Sequence, residues 1–258
     1  MKPVLLEFGT AQLSSFILMM AAGACVFLWV SVRSAERAGL SPRDLAWSLV
    51  AVYLGGLAGA RALFVMQNRR QWLDAWQGLW NPMPGGFVSF GGLFGGCLAL
   101  LLCARWFRFS VRRAADSMAT GGCLFAAIAR IGCYLGGCCH GRPTTMPWGV
   151  VFPVGSDAAL RWGAGVPVHP AQLYESAFLF AVAVISLRTP LAGPPGNRFL
   201  VLLATLAAGR FCFEFVRGDG TMAAAGLTEA QWFAALIAAA SLAALVTLRC
   251  RPRLTLVG

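Results

Sequence analysis

Residues 129–153 read ARIGCYLGGCCHGRPTTMPWGVVFP, a stretch rich in glycine and cysteine that also carries arginine and histidine. It closes an apolar run that is long enough to cross a bilayer, yet Arg130 lies inside that run. Arginine within a membrane segment is costly and by default indicates a functional site. The clustered glycines indicate that the backbone bends or packs closely there. Taken alone, the stretch is equally typical of a kinked membrane helix with an interfacial arginine.

The composition is typical of membrane proteins. Of the 258 residues, 58% are hydrophobic and only 12% are charged, which is too apolar for an ordinary soluble domain. The net charge of +11 is spread in single arginines or small groups between apolar runs, so no nucleic-acid partner is expected. The nine cysteines are scattered over the whole length, unlike the disulfide framework of a small secreted domain. No cleavable signal peptide is expected, because the first apolar run is long and only Lys2 precedes it.

Seven runs are long and apolar enough to be membrane spans, which need roughly 20 mainly apolar residues. They are residues 14–32, 45–66, 87–104, 118–138, 170–187, 199–216 and 231–248. The runs are too long and too evenly apolar for the strands of a membrane barrel, so each is predicted to be a helix. The sequence therefore predicts an all-α polytopic membrane protein with about seven transmembrane helices, forming a single integral membrane domain over residues 1–258.

The basic residues predict the orientation of these spans. One set of loops carries most of the arginines: Arg33, Arg37, Arg43, Arg105, Arg108, Arg112, Arg113, Arg188, Arg198, Arg249, Arg251 and Arg253. The other set has fewer basic residues: Lys2, Arg69, Arg70, Arg142, Arg161 and Arg217. By the positive-inside rule the N-terminus is outside and the C-terminus is cytoplasmic. Residues 141–168 then form an outside-facing connection, as do residues 218–230.

Small residues and tryptophans show a pattern typical of membrane helices. Glycines recur four residues apart in three pairs, Gly55 with Gly59, Gly91 with Gly95, and Gly92 with Gly96. Such pairs let helix backbones approach, and simple helix packing explains them best. Three tryptophans after the second span, Trp72, Trp76 and Trp80, fit an interfacial belt or an amphipathic surface helix.

Charged residues within the spans suggest a phosphate site. Those within or at the lip of spans are Arg61, Arg130, Glu175, Arg210 and Glu214. Arg210, Glu214 and Arg217 are spaced i, i+4, i+7 and share one helix face. Mutual neutralisation is one explanation of this group. The other is a pocket for a phospholipid headgroup, since three arginines lie toward the outer ends of their spans and arginine binds phosphate through two parallel hydrogen bonds.

A second polar group opens the fifth span. His169, Pro170, Gln172, Tyr174 and Glu175 lie together at the predicted membrane surface. The proline suits the first turn of a helix. Histidine, glutamine, tyrosine and glutamate together exceed what an interface anchor needs, so the group is predicted to form or support a site.

Together these motifs resemble bacterial prolipoprotein diacylglyceryl transferase over nearly the whole chain. The matching residues are Gly59-Ala60-Arg61, Gly85-Gly86 before Gly91-Gly92, Arg130-Ile131-Gly132, Gly137, Gly141-Arg142, Phe152-Pro153, His169-Pro170 with Gln172-Leu173-Tyr174-Glu175, and Arg210-x-x-x-Glu214-x-x-Arg217. The resemblance implies a seven-helix, multi-pass enzyme of the bacterial cytoplasmic (inner) membrane. Such an enzyme moves the diacylglyceryl group of phosphatidylglycerol onto the lipobox cysteine thiol of a preprolipoprotein signal peptide and releases glycerol phosphate.

The resemblance also implies roles for individual residues. Arg130 and Arg210 would hold and polarise the phosphate, because a fixed positive charge stabilises the departing group most in the transition state. Glu214 and Arg217 would orient Arg210. Gly141 would let the chain pass close to the lipid. The remaining residues predicted to bind substrate are Arg61, Arg142, His169, Gln172, Tyr174 and Glu175.

Four positions depart from the family pattern. Phe16 stands where a tyrosine is expected, Phe90 where a histidine is expected, Cys133 for an asparagine and Cys138 for a glutamate. The missing histidine is a candidate general base for the incoming thiol. We therefore expect pocket electrostatics to activate the thiol, with His140 as a candidate catalytic residue and His169 as a second. If the helix continued unbroken, His140 would lie roughly 15 Å beyond Arg130, but Gly136-Gly137 can turn the chain back.

Two other readings stay open at the level of sequence. One is a family relative that binds a phospholipid headgroup but has altered or lost the transfer chemistry. The other is a metal or thiol-redox membrane protein built on Cys133, Cys138, Cys139 and His140, or on a disulfide from Cys133 to Cys138 or Cys139. The spacing matches no standard zinc finger, and adjacent cysteines on a helix do not easily point at one metal. No metal and no cofactor are therefore expected.

Overall fold

The computed structural model describes residues 4–8, 11–67, 89–189 and 193–250. Its long helices are α1 (Ser15–Arg37), α2 (Pro42–Gln67), α3 (Ser89–Phe107), α4 (Val111–Gly136), α6 (Ala171–Arg188), α7 (Asn197–Phe213) and α8 (Glu229–Cys250), and α5 (Asp157–Trp162) is a short one. Two antiparallel strand pairs complete it, β1 (Val4–Phe8) with β2 (Ala11–Ser14) and β3 (Val150–Val151) with β4 (Pro167–Val168). The predictions for Lys2, Arg69, Arg70, Trp72, Trp76, Trp80, Gly85, Gly86, Arg251 and Arg253 lie outside the described residues.

Each predicted span coincides with one long helix. Within the described residues, α1, α2, α4, α6 and α8 are long and apolar enough to cross a membrane. The other two helices, α3 with 19 residues and α7 with 17, also lie at the predicted positions. The predicted all-α polytopic membrane fold is therefore confirmed, while the side on which each terminus lies stays a prediction.

Two spans end earlier than the sequence predicts. The fourth span was predicted to reach residue 138, but α4 ends at Gly136 because Gly137 adopts a left-handed backbone with φ +77°. The sixth was predicted to reach residue 216, but α7 ends at Phe213. After Phe213 the chain pairs with another segment, since the amide of Arg142 donates to the Val216 carbonyl at 2.9 Å.

The chain divides into two compact units, residues 32–114 and residues 1–31 with 115–258. In the first unit α2 packs on α3, and glycines of both helices line the contact. A Cβ added to Gly59 would lie 2.9 Å from the Gly95 Cα and closer still to the Gly91 carbonyl oxygen. Backbone atoms cannot yield as a flexible side chain can, so these glycines permit the approach of the two helices. The predicted packing role is confirmed for the pairs Gly55 with Gly59 and Gly91 with Gly95.

We expect Gly59→Ala to destabilise the protein, while Gly56→Ala on the same helix is tolerated. A Cβ at Gly56 would have ordinary contact with the Gly92 carbonyl oxygen at 3.4 Å, whereas one at Gly59 overlaps backbone. The cost of overpacking is typically about 1–3 kcal/mol. Thermal unfolding in detergent measures it, with a lower midpoint expected for Gly59→Ala only. Equal midpoints for the two variants would contradict the packing described.

In the second unit, α4 contacts the helices that carry the polar groups. Cys123 of α4 packs in one apolar cluster with Val182 and Ala183 of α6 and Leu202 of α7. The Ser176 hydroxyl donates to the Ala127 carbonyl at 2.9 Å, which ties α6 to α4. Both Asp116 carboxylate oxygens accept from the start of α7, at the Gly196 and Phe199 amides. These contacts fix the ends of α4, α6 and α7 relative to one another.

The predicted connection, residues 141–168, is a folded segment. It contains β3, α5 and β4, and Phe152, Ala158 and Val168 form a small buried cluster within it. Tyr134 of α4 and Trp162 pack against that cluster, and the Tyr134 and Phe152 rings meet edge to face. The segment is therefore attached to the end of α4 through apolar contacts.

The orientation of the spans has a direct test. A reporter that is active only in the cytoplasm should give signal when fused after Arg37, Arg113 or Gly258, because the arginine-rich loops are expected inside. The same reporter fused after Arg161 should be silent. Signal at Arg161 would reverse the predicted topology.

Candidate functional site

A buried carboxylate, Glu175, joins arginines from three segments. Its Oε2 lies 2.6 Å from Arg130 Nε. Its Oε1 lies 2.9 Å from Arg217 Nη1 and 3.9 Å from Arg210 Nη1. The Glu175 side chain is only 6% exposed, so these ion pairs are largely desolvated. The sequence separately predicted these four residues, and the structure brings them together.

Three of these four residues lie at the end of a helix, and Arg217 follows α7. Arg130 lies in the last two turns of α4, Glu175 in the first two turns of α6, and Arg210 in the last turn of α7. Helix ends of this kind meet at one edge of a bundle, where polar side chains avoid the centre of the apolar spans. This placement explains how a mostly apolar chain assembles a charged group.

Glu214 holds Arg210 from the other side. The two side chains form an ion pair with i, i+4 spacing, as predicted from the sequence. The Glu214 side chain is almost fully buried, and its Oε1 accepts from the Thr228 hydroxyl at 2.9 Å. Thr228 precedes α8 and was not predicted as part of the site. Its only signal in the sequence is a position just before a helix, which is also typical of an N-cap.

Arg217 is the most enclosed of the three arginines. Asp219 accepts two hydrogen bonds from it, at 3.0 Å from Nε and 2.6 Å from Nη2. Burial lowers the pKa of the Arg217 guanidinium, but Glu175 and then Asp219 raise it, and the result lies above its ordinary value. Asp219 was missed in the sequence because a single acidic residue between two glycines is typical of an exposed turn.

The arginines differ in exposure. The side chains of Arg130 and Arg210 are 25% and 31% exposed, against 6% for Arg217. Three carboxylates, from Glu175, Glu214 and Asp219, balance three guanidinium groups. Arg130 and Arg210 are therefore the cations that a ligand can reach, and Arg217 is engaged with its buried partners.

Backbone pairing surrounds the predicted Gly141-Arg142 motif. The Gly141 amide donates to the His169 carbonyl, and the His169 amide donates to the Arg142 carbonyl, both at 3.0 Å. A Cβ on Gly141 would lie 2.6 Å from the His169 Cβ, so glycine permits this close approach. The Arg142 side chain is exposed, and its Nε donates a hydrogen bond to the Arg217 carbonyl at 3.1 Å. The motif thus links the connection to the arginine group.

The two histidines lie in different surroundings. His140 is buried, and its Nδ1 lies 3.3 Å from the Trp162 indole nitrogen, which donates, and 2.9 Å from the Gly141 carbonyl oxygen. His169 is half-buried, with its Nδ1 3.3 Å from the Tyr174 hydroxyl. Trp162 was not predicted as a partner, since a tryptophan 22 residues away carries no local signal.

Gln172 connects α6 to the cysteines after α4. Its Nε2 donates to the Cys138 carbonyl at 2.7 Å. The Sγ atoms of Cys133, Cys138 and Cys139 all lie within 4.8 Å of one another. Hydrogen bonds from the Cys133 and Cys138 thiols, and then the charges of Arg130 and Arg217, lower the pKa of the Cys139 thiol, against burial, which raises it. The three thiols are therefore neighbours of the arginine group.

The remaining predicted residues are placed as follows. Arg61 lies on α2, in the unit of residues 32–114, with its guanidinium carbon 5.6 Å from the centre of the Phe64 ring. Phe16 lies at the start of α1, where a Cβ on Gly132 would be 3.3 Å from its ring. The side chain of Phe90 lies outside the described residues. The part of Arg61 in a phosphate pocket stays a prediction.

Comparison with known proteins gives a consistent result. The family model described as prolipoprotein diacylglyceryl transferase matches residues 3–247. A phosphatidylglycerol–prolipoprotein diacylglyceryl transferase 2 of Clostridium perfringens is 28% identical over 242 residues, which is 92% of this chain and 91% of that protein. Phosphatidylglycerol–prolipoprotein diacylglyceryl transferases of Clostridium tetani and Clostridioides difficile are 28% and 29% identical, over 85% and 80% of this chain and 86% and 79% of their own lengths.

Proposed function

The chain belongs to the prolipoprotein diacylglyceryl transferase family, and we propose that its arginine group binds the phosphate of the lipid donor. It is a multi-pass membrane protein and a diacylglyceryl transferase that uses phosphatidylglycerol and prolipoproteins. More specifically, the acceptor is the lipobox cysteine thiol of a preprolipoprotein signal peptide. The enzyme works in the bacterial inner membrane, with residues 1–258 acting as one membrane domain.

The observation that carries this proposal is the pair of partly exposed guanidinium groups, Arg130 and Arg210, fixed on the buried Glu175 carboxylate. A guanidinium whose orientation is set by a buried carboxylate needs little rearrangement to receive a phosphate oxygen. It presents its remaining N–H groups as a planar fork, which matches the geometry of phosphate. Both arginines therefore suit a ligand that carries negative charge and at least two oxygen acceptors.

In the proposed reaction, negative charge develops on the phosphate that Arg130 and Arg210 bind. The acceptor sulfur forms a bond to the glyceryl carbon, and the bond from that carbon to the phosphate oxygen breaks. The oxygen leaves with the electron pair as glycerol phosphate, and the thiol proton is lost to solvent. Charge on the leaving phosphate grows as the bond breaks, so fixed cations stabilise the transition state more than the substrate.

The other residues have supporting parts in this proposal. Glu214 and Glu175 orient Arg130 and Arg210. The buried Arg217 guanidinium pairs with both of these carboxylates. Arg142 extends the binding surface toward the headgroup or the acceptor peptide. Gly141, His169, Gln172 and Tyr174 shape the wall of the pocket through the backbone pairing and hydrogen bonds already described.

The proposed function is tested by complementation of a bacterial strain depleted of its own transferase. Restored growth and lipid-modified lipoproteins are the expected result, and Arg188→Lys, an exposed change at the end of α6, serves as a neutral control. Lack of complementation by a well-expressed protein would favour a relative that keeps the lipid pocket but has lost the transfer chemistry.

His140 has a separate prediction. It is buried and already engaged with Trp162 and Gly141, so we expect His140→Ala to keep at least roughly a third of the transfer rate, whereas loss of a general base typically costs about 100-fold or more. The measurement is the initial rate at neutral pH with phosphatidylglycerol and a lipobox peptide. A loss of about 100-fold, with the folded fraction unchanged, would establish His140 as the base.

A further inference from the structure

Three cysteine thiols converge beside the arginine group. The Sγ atoms of Cys133, Cys138 and Cys139 lie within 4.8 Å of one another, with Cys133 buried and the other two half-buried. Thiolates bound to one tetrahedral zinc ion lie roughly 3.8 Å apart, given a Zn–S distance of about 2.3 Å. Within the described residues no other three metal-ligand side chains are grouped this closely. The spacing of the sulfurs thus suits a single thiophilic ion.

The backbone makes this convergence possible. On a continuous helix, Cys138 and Cys139 would point in different directions, because successive residues are rotated by about 100°. Both lie beyond the end of α4, however, after Gly137 at φ +77°, and Cys139 itself has φ +58°. The Cys138 amide donates back to the Cys133 carbonyl at 3.2 Å. A left-handed backbone is uncommon for a residue other than glycine, and such strained residues cluster at functional sites.

The cluster is held against the groups that carry the chemistry. Cys133 follows Arg130 by one turn of α4, so the two lie on the same face of that helix. Gln172, one turn before Glu175 on α6, donates to the Cys138 carbonyl at 2.7 Å. His140 is not one of the three grouped ligands, and its Nδ1 is directed to Trp162 and Gly141. Three sulfur ligands leave the fourth position of a tetrahedral ion open, which is typical of catalytic rather than structural zinc sites.

We propose that Cys133, Cys138 and Cys139 bind one Zn²⁺ ion, and that its open position binds the acceptor cysteine as a thiolate. This inference rests on the proposed transferase function. A thiol that coordinates zinc loses its proton, here to solvent, and the thiolate is the nucleophile. The zinc-bound sulfur then attacks the glyceryl carbon, the phosphate oxygen departs toward Arg130 and Arg210, and the neutral thioether leaves the metal. Metal coordination thereby activates the nucleophile in a chain that has Phe90 at the position where the resemblance predicts a histidine.

Metal content tests the site without relying on activity. We expect the purified wild type to hold about one zinc per chain, and Cys133→Ser and Cys139→Ser each to hold less than about a tenth of that. Cys97→Ser, an exposed cysteine on α3, is the matched control and should keep the metal. Size-exclusion chromatography in detergent should show that each protein elutes as a single folded species. A wild type purified without zinc that fails to take up the ion, or equal zinc in Cys133→Ser and wild type, would overturn the site. So would a disulfide from Cys133 to Cys138 or Cys139 in the wild-type protein.

Cobalt substitution tests the open position. With Co²⁺ in place of zinc, a lipobox peptide should change the thiolate charge-transfer absorption, and the same peptide with serine for cysteine should leave it unchanged. Identical spectra with both peptides would contradict thiol binding.

Removal of the metal should lower the transfer rate at least about 10-fold, with recovery on adding Zn²⁺. Full transfer by metal-free protein would overturn the inference and leave the transferase function intact. Metal binding and the cobalt response without any transfer would support the site and count against the transferase function.

Discussion

Glu175→Gln should lower the transfer rate by at least about 100-fold and should also destabilise the protein. The carboxylate contacts Arg130, Arg217 and Arg210, and the neutral amide leaves these guanidinium groups without their shared counter-charge. Removing one member of a buried ion pair typically costs about 3–5 kcal/mol, because the remaining charges stay buried and unpaired. The two readouts are the initial rate of transfer and the midpoint of thermal unfolding in detergent.

Glu229→Gln is the matched control for this change. Glu229 is an exposed glutamate in the first turn of α8, so its replacement should leave both readouts close to those of the wild type. If Glu175→Gln behaved like Glu229→Gln, Glu175 would not be the residue that fixes the arginines. A lower unfolding midpoint with an unchanged transfer rate would mean that Glu175 has only a structural role.

Arg130→Lys and Arg210→Lys should each lose about 100-fold or more of the transfer rate, although the charge is kept. Lysine is a compact charge without the planar fork, so it cannot pair with Glu175 and phosphate in the same geometry. Because the interaction strengthens as the phosphate leaves, the loss should fall mainly on kcat rather than on KM for phosphatidylglycerol.

Arg161→Lys is the control for the lysine variants, since Arg161 is exposed on α5 in the connection. It should transfer lipid at the wild-type rate. A wild-type rate in Arg130→Lys or Arg210→Lys would remove that arginine from the phosphate-binding role. A loss confined to KM would mean that the arginine binds the headgroup without stabilising the transition state.

Local sequence spacing predicted the helices and one part of the site. The seven apolar runs each became a helix because hydropathy over about 20 residues is a strong constraint in a bilayer. The i, i+4 spacing of Arg210 and Glu214 likewise predicted an ion pair that the structure contains. Both features depend on residues that are close in the sequence.

Local sequence spacing did not predict that Glu175 is shared by several arginines. Glu175 was predicted as a charged residue at the membrane surface and as a substrate-binding residue, but not as the shared partner of the arginines. Those partners lie on α4 and after α7, and their approach depends on helix packing. Thr228 was missed for the same reason, whereas Asp219 was missed because a single acidic residue between two glycines is typical of an exposed turn. The cysteine pair was misjudged as helical, although Gly136-Gly137 already indicated a turn before it. Tertiary contacts, rather than local preferences, assemble this part of the site.

The most direct test of the central claim is the transfer reaction itself, with purified protein, phosphatidylglycerol carrying labelled acyl chains, and a peptide with a lipobox cysteine. Mass spectrometry should show the peptide heavier by one diacylglyceryl group in thioether linkage, with one glycerol phosphate released for each peptide modified. The peptide with serine for cysteine should remain unmodified. Absence of the thioether product at every pH tested, with protein that is folded and loaded with zinc, would contradict the assignment of this chain as a diacylglyceryl transferase.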